Sequence, residues 1–172
     1  MAGAFEAIGP EAVKCCEGPV FREAMSRLGA AVHVITTDGP AGMTGFTATA
    51  VSSVSDQPPT LLVCLNRRST SAPILSHNGV FCVNTLRADE EEIADRFAGR
   101  TGSRTERFAK GEWTTRATGS PVLTSAVVAF DCRVGEIKAV ASHNVIFGVV
   151  EAVHLGPPGE ALVYHERIYK RV

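Results

Sequence analysis

The feature that most constrains the fold is a series of seven short segments rich in β-branched and other apolar residues, each bounded by Gly, Pro, Asn or Asp. Segments of this length and composition are typical of β-strands. The connections at residues 38–42 and 56–59 have the chemistry of tight turns rather than of crossover helices, so neighbouring strands are predicted to be antiparallel. The predicted strands cover residues 31–37, 45–55, 60–66, 80–84, 127–134, 145–153 and 162–164.

Three helical segments accompany the strands. In the first, Phe21, Met25 and Leu28 recur at helical spacing, and Gly29 follows where a glycine commonly ends a helix. The third opens with a run of acidic residues, which stabilise a helix N-terminus. The predicted helices cover residues 21–28, 70–77 and 89–97.

The segments belong to one predicted domain. No repeat, low-complexity segment or change of composition divides the chain. We expect a flexible N-terminal arm at residues 1–19, followed at residues 20–172 by a mainly β, antiparallel barrel that the short helices plug or cover.

Composition excludes several classes of partner. The 172 residues include 17 basic and 18 acidic side chains, for a formal charge of −1, and no basic run marks a nucleic-acid surface. Residues 1–19 lack the apolar core of a signal peptide, and no segment approaches the ~20 apolar residues of a membrane span. We therefore expect a cytoplasmic protein with no nucleic-acid or membrane partner.

Common catalytic motifs are missing from the sequence. It has no glycine-rich dinucleotide or P-loop motif, no histidine or cysteine spacing typical of zinc, and no serine nucleophile elbow. Cys64, Cys82 and Cys132 lie in apolar runs, where cysteine behaves as a small buried hydrophobe. The sequence predicts no metal site, and ligand or cofactor chemistry remains.

Residues 45–55 are the most informative segment for function, because they are mostly small or hydroxyl-bearing. A strand with one hydroxyl face and small neighbours lets a flat ligand approach the backbone, although a solvated polar face gives the same alternation. In an extended chain one face carries Thr47, Thr49, Ser53 and Ser55, and the other carries Phe46, Ala48, Ala50 and Val54.

Four segments occur in a recognisable order, at residues 45–55, 58–71, 81–84 and 141–143. With residues 21–25 and 162–164 they resemble the short-chain flavin reductases, the small components of two-component flavin-dependent monooxygenases, over about residues 21–169. The similarity is greatest to the reductase partners of hydroxyphenylacetate and chlorophenol monooxygenases and to the reductase of the pyrimidine-utilisation pathway. The resemblance implies a split β-barrel homodimer that uses NADH to reduce FAD or FMN. It also implies release of the reduced flavin to a partner monooxygenase for aromatic hydroxylation.

The resemblance extends to individual site residues. Hydroxyls of residues 47–53 suit the flavin ring and ribityl chain, and donors at residues 66–71 suit its phosphate. For Arg68 a solvated turn is the alternative, for Asn84 a strand-end cap, and for Tyr169 a barrel-closing strand. The predicted cofactor-binding residues are Phe46, Thr47, Ala48, Thr49, Ala50, Ser52, Ser53, Asn66, Arg68, Ser69, Ser71, Asn84, Ser142, His143 and Tyr169.

His143 is the predicted catalytic position. The family motif on the nicotinamide side is Gly-Asp-His, whereas this chain has Ala141, Ser142 and His143, so the imidazole is kept and the carboxylate is lost. We expect His143 to position a ligand rather than to transfer a proton, because hydride transfer needs only the two cofactors held in contact. A structural histidine is the alternative.

Two other functions fit the same barrel. Loss of the carboxylate beside His143 is compatible with a non-catalytic flavin-binding or flavin-carrier protein. A split-barrel oxidase or haem-binding relative is the third possibility. Oxidation of NADH on addition of flavin separates the first function from the second, and a haem absorption band would indicate the third.

Overall fold

The computed structural model describes residues 15–99 and 103–172. The helices are α1 (Gly18–Ser26), α2 (Ser71–Asn78), α3 (Glu91–Phe97) and α4 (Arg104–Arg107). The first six strands are β1 (Ala30–Ala31), β2 (His33–Thr37), β3 (Thr44–Ala48), β4 (Val51–Asp56), β5 (Pro59–Asn66) and β6 (Val80–Thr85). The others are β7 (Trp113–Thr115), β8 (Pro121–Leu123), β9 (Val128–Val140), β10 (His143–Leu155), β11 (Leu162–His165) and β12 (Ile168–Arg171).

The main sheet curls into a split barrel. Its strand order is β3-β2-β6-β9-β10-β5-β4, and every strand pairing is antiparallel, as predicted. The outermost strands β3 and β4 are joined by Thr49 and Ala50 alone, so the two edges of the sheet must approach each other there. Smaller sheets of order β1-β11-β12 and β7-β8 complete the fold. The predicted class, a mainly β split barrel with short helices, is confirmed.

The segment predicted as one strand at residues 45–55 is two strands at opposite edges of the sheet. β3 pairs with β2, and β4 pairs with β5. Between them the backbone N–H of Val51 donates to the Thr49 carbonyl at 3.1 Å, and the Ala50 carbonyl accepts from Cys64 at 3.0 Å. Alternation identifies extended backbone but not a change of neighbouring strand, and for that reason the prediction of a single strand was wrong.

β2 and β6 are completely buried strands of the main sheet. All residues of both are buried, and their side chains alternate between two apolar clusters. Val34 and Cys82 pack with Ile93 and Phe97 of α3 on one side, while Ile35 and Phe81 pack with the α2 side chains on the other. Burial on both faces explains the continuous apolar run at residues 80–83 of β6.

Several predicted boundaries differ from the structure. Helix α1 begins at Gly18, inside the predicted arm, and residues 1–14 of that arm lie outside the described residues. The short elements β7, β8, β12 and α4 were missed because three or four residues do not establish a period. Within the described ranges, no helix is long and apolar enough to cross a membrane.

The three cysteines on strands occupy two environments. Cys82 and Cys132 are buried as predicted; burial raises the pKa of the Cys132 thiol to about 12 and raises that of Cys82 as well. These thiols are therefore poor nucleophiles. Cys64, also predicted to be buried, is instead half-buried and faces a cleft, because it lies near the open end of β5.

Candidate functional site

The principal cleft opens where the two edges of the sheet meet. Its volume is about 520 Å³, within the usual range for small-molecule sites. β3 and the link to β4 form one wall, the end of β5 and the start of α2 form the second, and the end of α3 with α4 closes the third. The lining residues are Phe46, Thr47, Ala48, Thr49, Ala50, Cys64, Leu65, Asn66, Ser69, Thr70, Ser71, Phe97, Ala98, Gly99, Arg107 and His143.

Three hydroxyls beside the cleft make hydrogen bonds within the fold. The Thr47 hydroxyl donates to the Ala94 carbonyl of α3 at 2.6 Å, and the hydroxyls of Thr44 and Ser71 are hydrogen-bonded at 2.9 Å. Thr47 therefore offers a ligand its acceptor lone pairs but not its proton. The exposed Thr49, in the link between the edges, offers both.

Further donors come from the turn between β5 and α2. The Asn66 side-chain oxygen accepts from the backbone N–H of Arg68 at 2.9 Å, and the Ser69 hydroxyl oxygen accepts from that of Ser71 at 3.3 Å. These bonds fix the two side chains while leaving the Asn66 amide N–H groups and the Ser69 proton for a ligand. Both side chains adjoin the N-terminus of α2, where the helix dipole favours an anion.

Arg107 is the charged residue that the sequence analysis missed. Its Nη1 donates to the Gly45 carbonyl at 3.1 Å, whereas its Nε is buried and has no hydrogen-bond partner among the described residues. No carboxylate occurs among the described residues that line the cleft. Arg107 therefore gives the cleft a positive character suited to an anionic ligand. No spacing signal identifies it, since α4 is only four residues long.

An aromatic cluster supports this wall. The Phe97 ring, which lines the cleft, lies 4.9 Å from the Phe108 ring and 5.6 Å from the ring of Trp113, measured between centroids. Phe108 and Trp113 pack against the core behind the cleft and do not line it. Phe46, on β3, supplies a second aromatic ring to the lining.

His143 lies at the start of β10, directly after the two-residue turn from β9. It pairs with Val140 on one side and with Asn66 on the other, which brings its side chain into the cleft. The Ser142 hydroxyl lies 2.8 Å from His143 Nδ1, so Nε2 remains for a ligand. Ala141 adopts a left-handed φ of 48°, a conformation that favours the glycine of the family motif.

Two further clefts adjoin the principal one. The first, of about 250 Å³, shares Thr47, Ala48 and Thr49 with it and adds Tyr169, whose hydroxyl donates to Asp95 at 3.0 Å. The second, of about 550 Å³, is lined by Asn66, Arg67, Arg68 and Ser142. Of these four residues, only Asn66 also lines the principal cleft.

Most predicted site residues thus converge, but several do not reach the principal cleft. Arg68 and Ser142 line the neighbouring cleft instead. Ser52 and Ser53 are exposed on β4 opposite Leu62 and Leu61, because the strand break carries them to the other edge of the sheet.

Asn84 is a structural residue and not part of the cleft lining. Its side chain is fully buried; the amide donates to the Val34 carbonyl at 3.0 Å and to the Thr36 hydroxyl at 3.1 Å. Its oxygen accepts from the backbone N–H of Leu123 at 2.8 Å. We therefore remove Asn84 from the ligand-binding set. Residues 15–99 and 103–172 contain no group of three or more His, Cys, Asp or Glu side chains placed to hold a metal ion.

Comparison with known proteins agrees with this geometry. The sequence profile of the flavin reductase like domain matches residues 25–172. The chain is 52% identical over 167 residues to the FMN reductase (NADH) RutF of Methylorubrum extorquens, covering 97% of this chain and 81% of that one.

Two solved structures extend the comparison. A proposed flavin reductase from Haemophilus somnus superimposes with a TM-score of 0.88 at 43% identity, covering 91% of this chain and all of the other. BorF, the flavin reductase component of a bacterial two-component tryptophan halogenase, gives a TM-score of 0.84 at 27% identity, covering 91% and 98%.

Proposed function

Because this chain belongs to the flavin reductase like family, we propose that it transfers a hydride from NADH to FMN held in the principal cleft and then releases the reduced flavin. Relatives named FMN reductase (NADH) favour FMN over FAD as the flavin and support NADH as the hydride donor. In the balanced reaction NADH, FMN and one proton give NAD⁺ and FMNH₂. The two cofactors supply the redox chemistry, and the protein holds them in contact.

The observation that carries the proposal is the character of the cleft. It combines aromatic and small side chains with hydroxyl and amide donors, and it contains a single arginine and no carboxylate among its described lining residues. A flavin needs a flat apolar surface for its ring, neutral hydrogen bonds along its edge and ribityl chain, and donors for its phosphate. Phe46 suits the ring, whereas Ser69, Asn66 and Arg107 suit the phosphate.

His143 is proposed to meet the nicotinamide on the side of the cleft formed by the β9–β10 turn. Its Nε2 is the nitrogen left for a ligand, and the Ser142 hydroxyl fixes the ring through Nδ1. The role is positional: the donor carbon and the accepting nitrogen must approach within about 3 to 3.5 Å. Ser142 thereby takes over part of the orienting role of the missing carboxylate.

The product is proposed to serve a separate flavin-dependent monooxygenase that hydroxylates an aromatic substrate. The structural relative BorF is the flavin reductase component of a two-component tryptophan halogenase, which supports a separate partner enzyme as the recipient of the reduced flavin. The exposed cleft suits release of the reduced flavin, because no described segment encloses it. The test is oxygenation of an aromatic substrate by a flavin monooxygenase supplied with this protein, NADH and FMN, compared with the same mixture lacking the reductase.

A homodimer is proposed on the evidence of helix α1. None of its residues is buried, and it exposes Val20, Phe21 and Met25. The helix is nevertheless fixed in place, because Arg167 pairs with Glu23 at 2.8 Å. A second copy of the chain covering this apolar face would remove it from water. Light scattering at micromolar concentration should give twice the chain mass, and a monomer would contradict the proposal.

The experiment that tests the enzymatic proposal is NADH oxidation by purified protein with and without added FMN. We expect turnover to require added flavin, since the cleft offers only non-covalent contacts. An oxidation rate equal to the flavin-free rate would favour the alternative, a non-catalytic flavin carrier, which the replacement of the motif carboxylate by Ser142 makes worth testing.

Matched variants separate the two sides of the site. Loss of a neutral hydrogen bond commonly costs ~0.5 to 1.5 kcal/mol, so Thr49→Ala should weaken FMN binding by roughly two- to tenfold and His143→Ala should raise the KM for NADH by a similar factor. Ser52→Ala is the control, because it removes a nearby hydroxyl that lies outside the cleft. The assignment of the cleft would be refuted if all three variants had the same FMN affinity and the same KM for NADH.

A further inference from the structure

The cleft beside the flavin site carries two arginines that the proposed reaction does not yet use. Arg67 and Arg68 line this cleft of about 550 Å³ together with Asn66 and Ser142. Asn66 also lines the principal cleft, and its register partner His143 does too, so the two clefts adjoin at that pair. A ligand that extends past His143 from the principal cleft reaches the arginines.

The two arginines are anchored by their backbone but not neutralised by acids. The backbone N–H of Arg67 donates to Ser142 at 3.0 Å, and its Nη1 donates to the Ala141 carbonyl at 3.3 Å. The backbone N–H of Arg68 is held by the Asn66 side chain. Within residues 15–99 and 103–172, neither arginine forms an ion pair with a carboxylate. Two unpaired guanidinium groups on a fixed turn are suited to an anion with several oxygens.

From this arrangement we infer that Arg67 and Arg68 bind the diphosphate bridge of the dinucleotide hydride donor. The inference rests on the proposed function, in which the nicotinamide lies at His143. In a dinucleotide one ribose separates the nicotinamide from the diphosphate, so a nicotinamide at His143 places the diphosphate toward the adjoining cleft. The flavin phosphate has its own donors in Ser69 and Arg107, which line the principal cleft.

The experiment compares two hydride donors. NADH carries the diphosphate, whereas 1-benzyl-1,4-dihydronicotinamide carries only the reduced nicotinamide ring. The double variant Arg67→Gln, Arg68→Gln should raise the KM for NADH by roughly five- to thirtyfold with little change in kcat, since exposed charge-assisted hydrogen bonds are lost from binding and not from the chemical step. Its activity with the benzyl donor and its FMN affinity should equal those of the unmodified protein.

Arg133→Gln is the matched control. It removes one positive charge from β9 about 23 Å along the strand from the turn, at ~3.3 Å per residue. This variant should leave the KM for NADH unchanged. The FMN titration and the benzyl donor also show whether the double variant is folded.

The possible outcomes are distinct. If the unmodified protein does not oxidise NADH with FMN, the proposed function fails. If it does, but the double variant keeps the KM for NADH, the inference fails alone. An increase in KM for NADPH but not for NADH would also overturn the inference, because the arginines would then bind a 2′-phosphate. Weaker FMN binding by the double variant would overturn it too, because Arg68 would then bind the flavin phosphate.

Discussion

Burial of His33 in the main sheet predicts a loss of stability at mildly acidic pH. His33 lies on β2 between Ala48 and Thr85, with 9% of its surface exposed and Nδ1 3.0 Å from the Thr85 hydroxyl. Burial lowers the pKa of its imidazole from 6.5 to about 4. The folded protein therefore holds the neutral ring at pH values where the unfolded chain binds a proton.

The sign and size of the effect follow from this difference. Because the unfolded state binds more protons between pH 4 and 6.5, the free energy of unfolding falls as the pH is lowered through that window. The contribution is fully present above pH 6.5, and about 2 kcal/mol of it is lost by pH 5. Neighbouring cations lower the pKa values of Glu23 and Glu92 from 4.5, so the stability that these carboxylates contribute is lost mainly below pH 5.

The assay is urea unfolding at intervals from pH 5 to 7.5, performed on the unmodified protein and on His33→Gln. The glutamine amide keeps a polar partner for Thr85 but does not titrate, so the variant should lose the decrease of about 2 kcal/mol. His77→Gln, which removes an exposed imidazole, is the control and should keep it. The reasoning would be refuted if the free energy of unfolding fell equally with decreasing pH in the unmodified protein and in His33→Gln.

Three further substitutions test the packing and geometry around the site. Gly45→Ala should lower the free energy of unfolding by ~1 to 3 kcal/mol and weaken FMN binding, because the new Cβ would lie 2.7 Å from the Phe97 ring. Unfolding and flavin titrations check these two effects, and Gly135→Ala, where the new Cβ is not crowded, is the control. Asn84→Ala should cost roughly 2 to 4 kcal/mol, since buried groups lose their partners, and the FMN affinity of the folded fraction should not change. If the folded Asn84→Ala variant bound FMN poorly, Asn84 would have to be counted among the ligand-binding residues. Ala141→Gly should raise thermal stability slightly, by up to ~1 kcal/mol, because glycine tolerates the positive φ, and a fall in the melting temperature would contradict this.

Local pattern was sufficient for most element types, and the resemblance of four short segments was sufficient for the family. The flavin reductase class predicted from four short segments is confirmed by the match over residues 25–172. β5 and β6 begin and end within a residue of their predicted bounds, because apolar content and flanking turn residues are properties of the chain itself. The hydroxyl segment was recognised in the same way, since small polar residues in a strand are visible without any partner.

Only the tertiary structure determined which of these residues share a site. Sequence alternation treated Thr49 and Ser52 as parts of one strand, but the chain crosses between two sheet edges at residues 49 and 50, so the first lines the cleft and the second does not. Asn84 was predicted to contact a cofactor, but its side chain is hydrogen-bonded to distant strands. Arg107 was missed because it reaches the cleft from a four-residue helix. Periodicity records each residue's local conformation, whereas a binding site depends on long-range pairing, which brings together residues far apart in the chain.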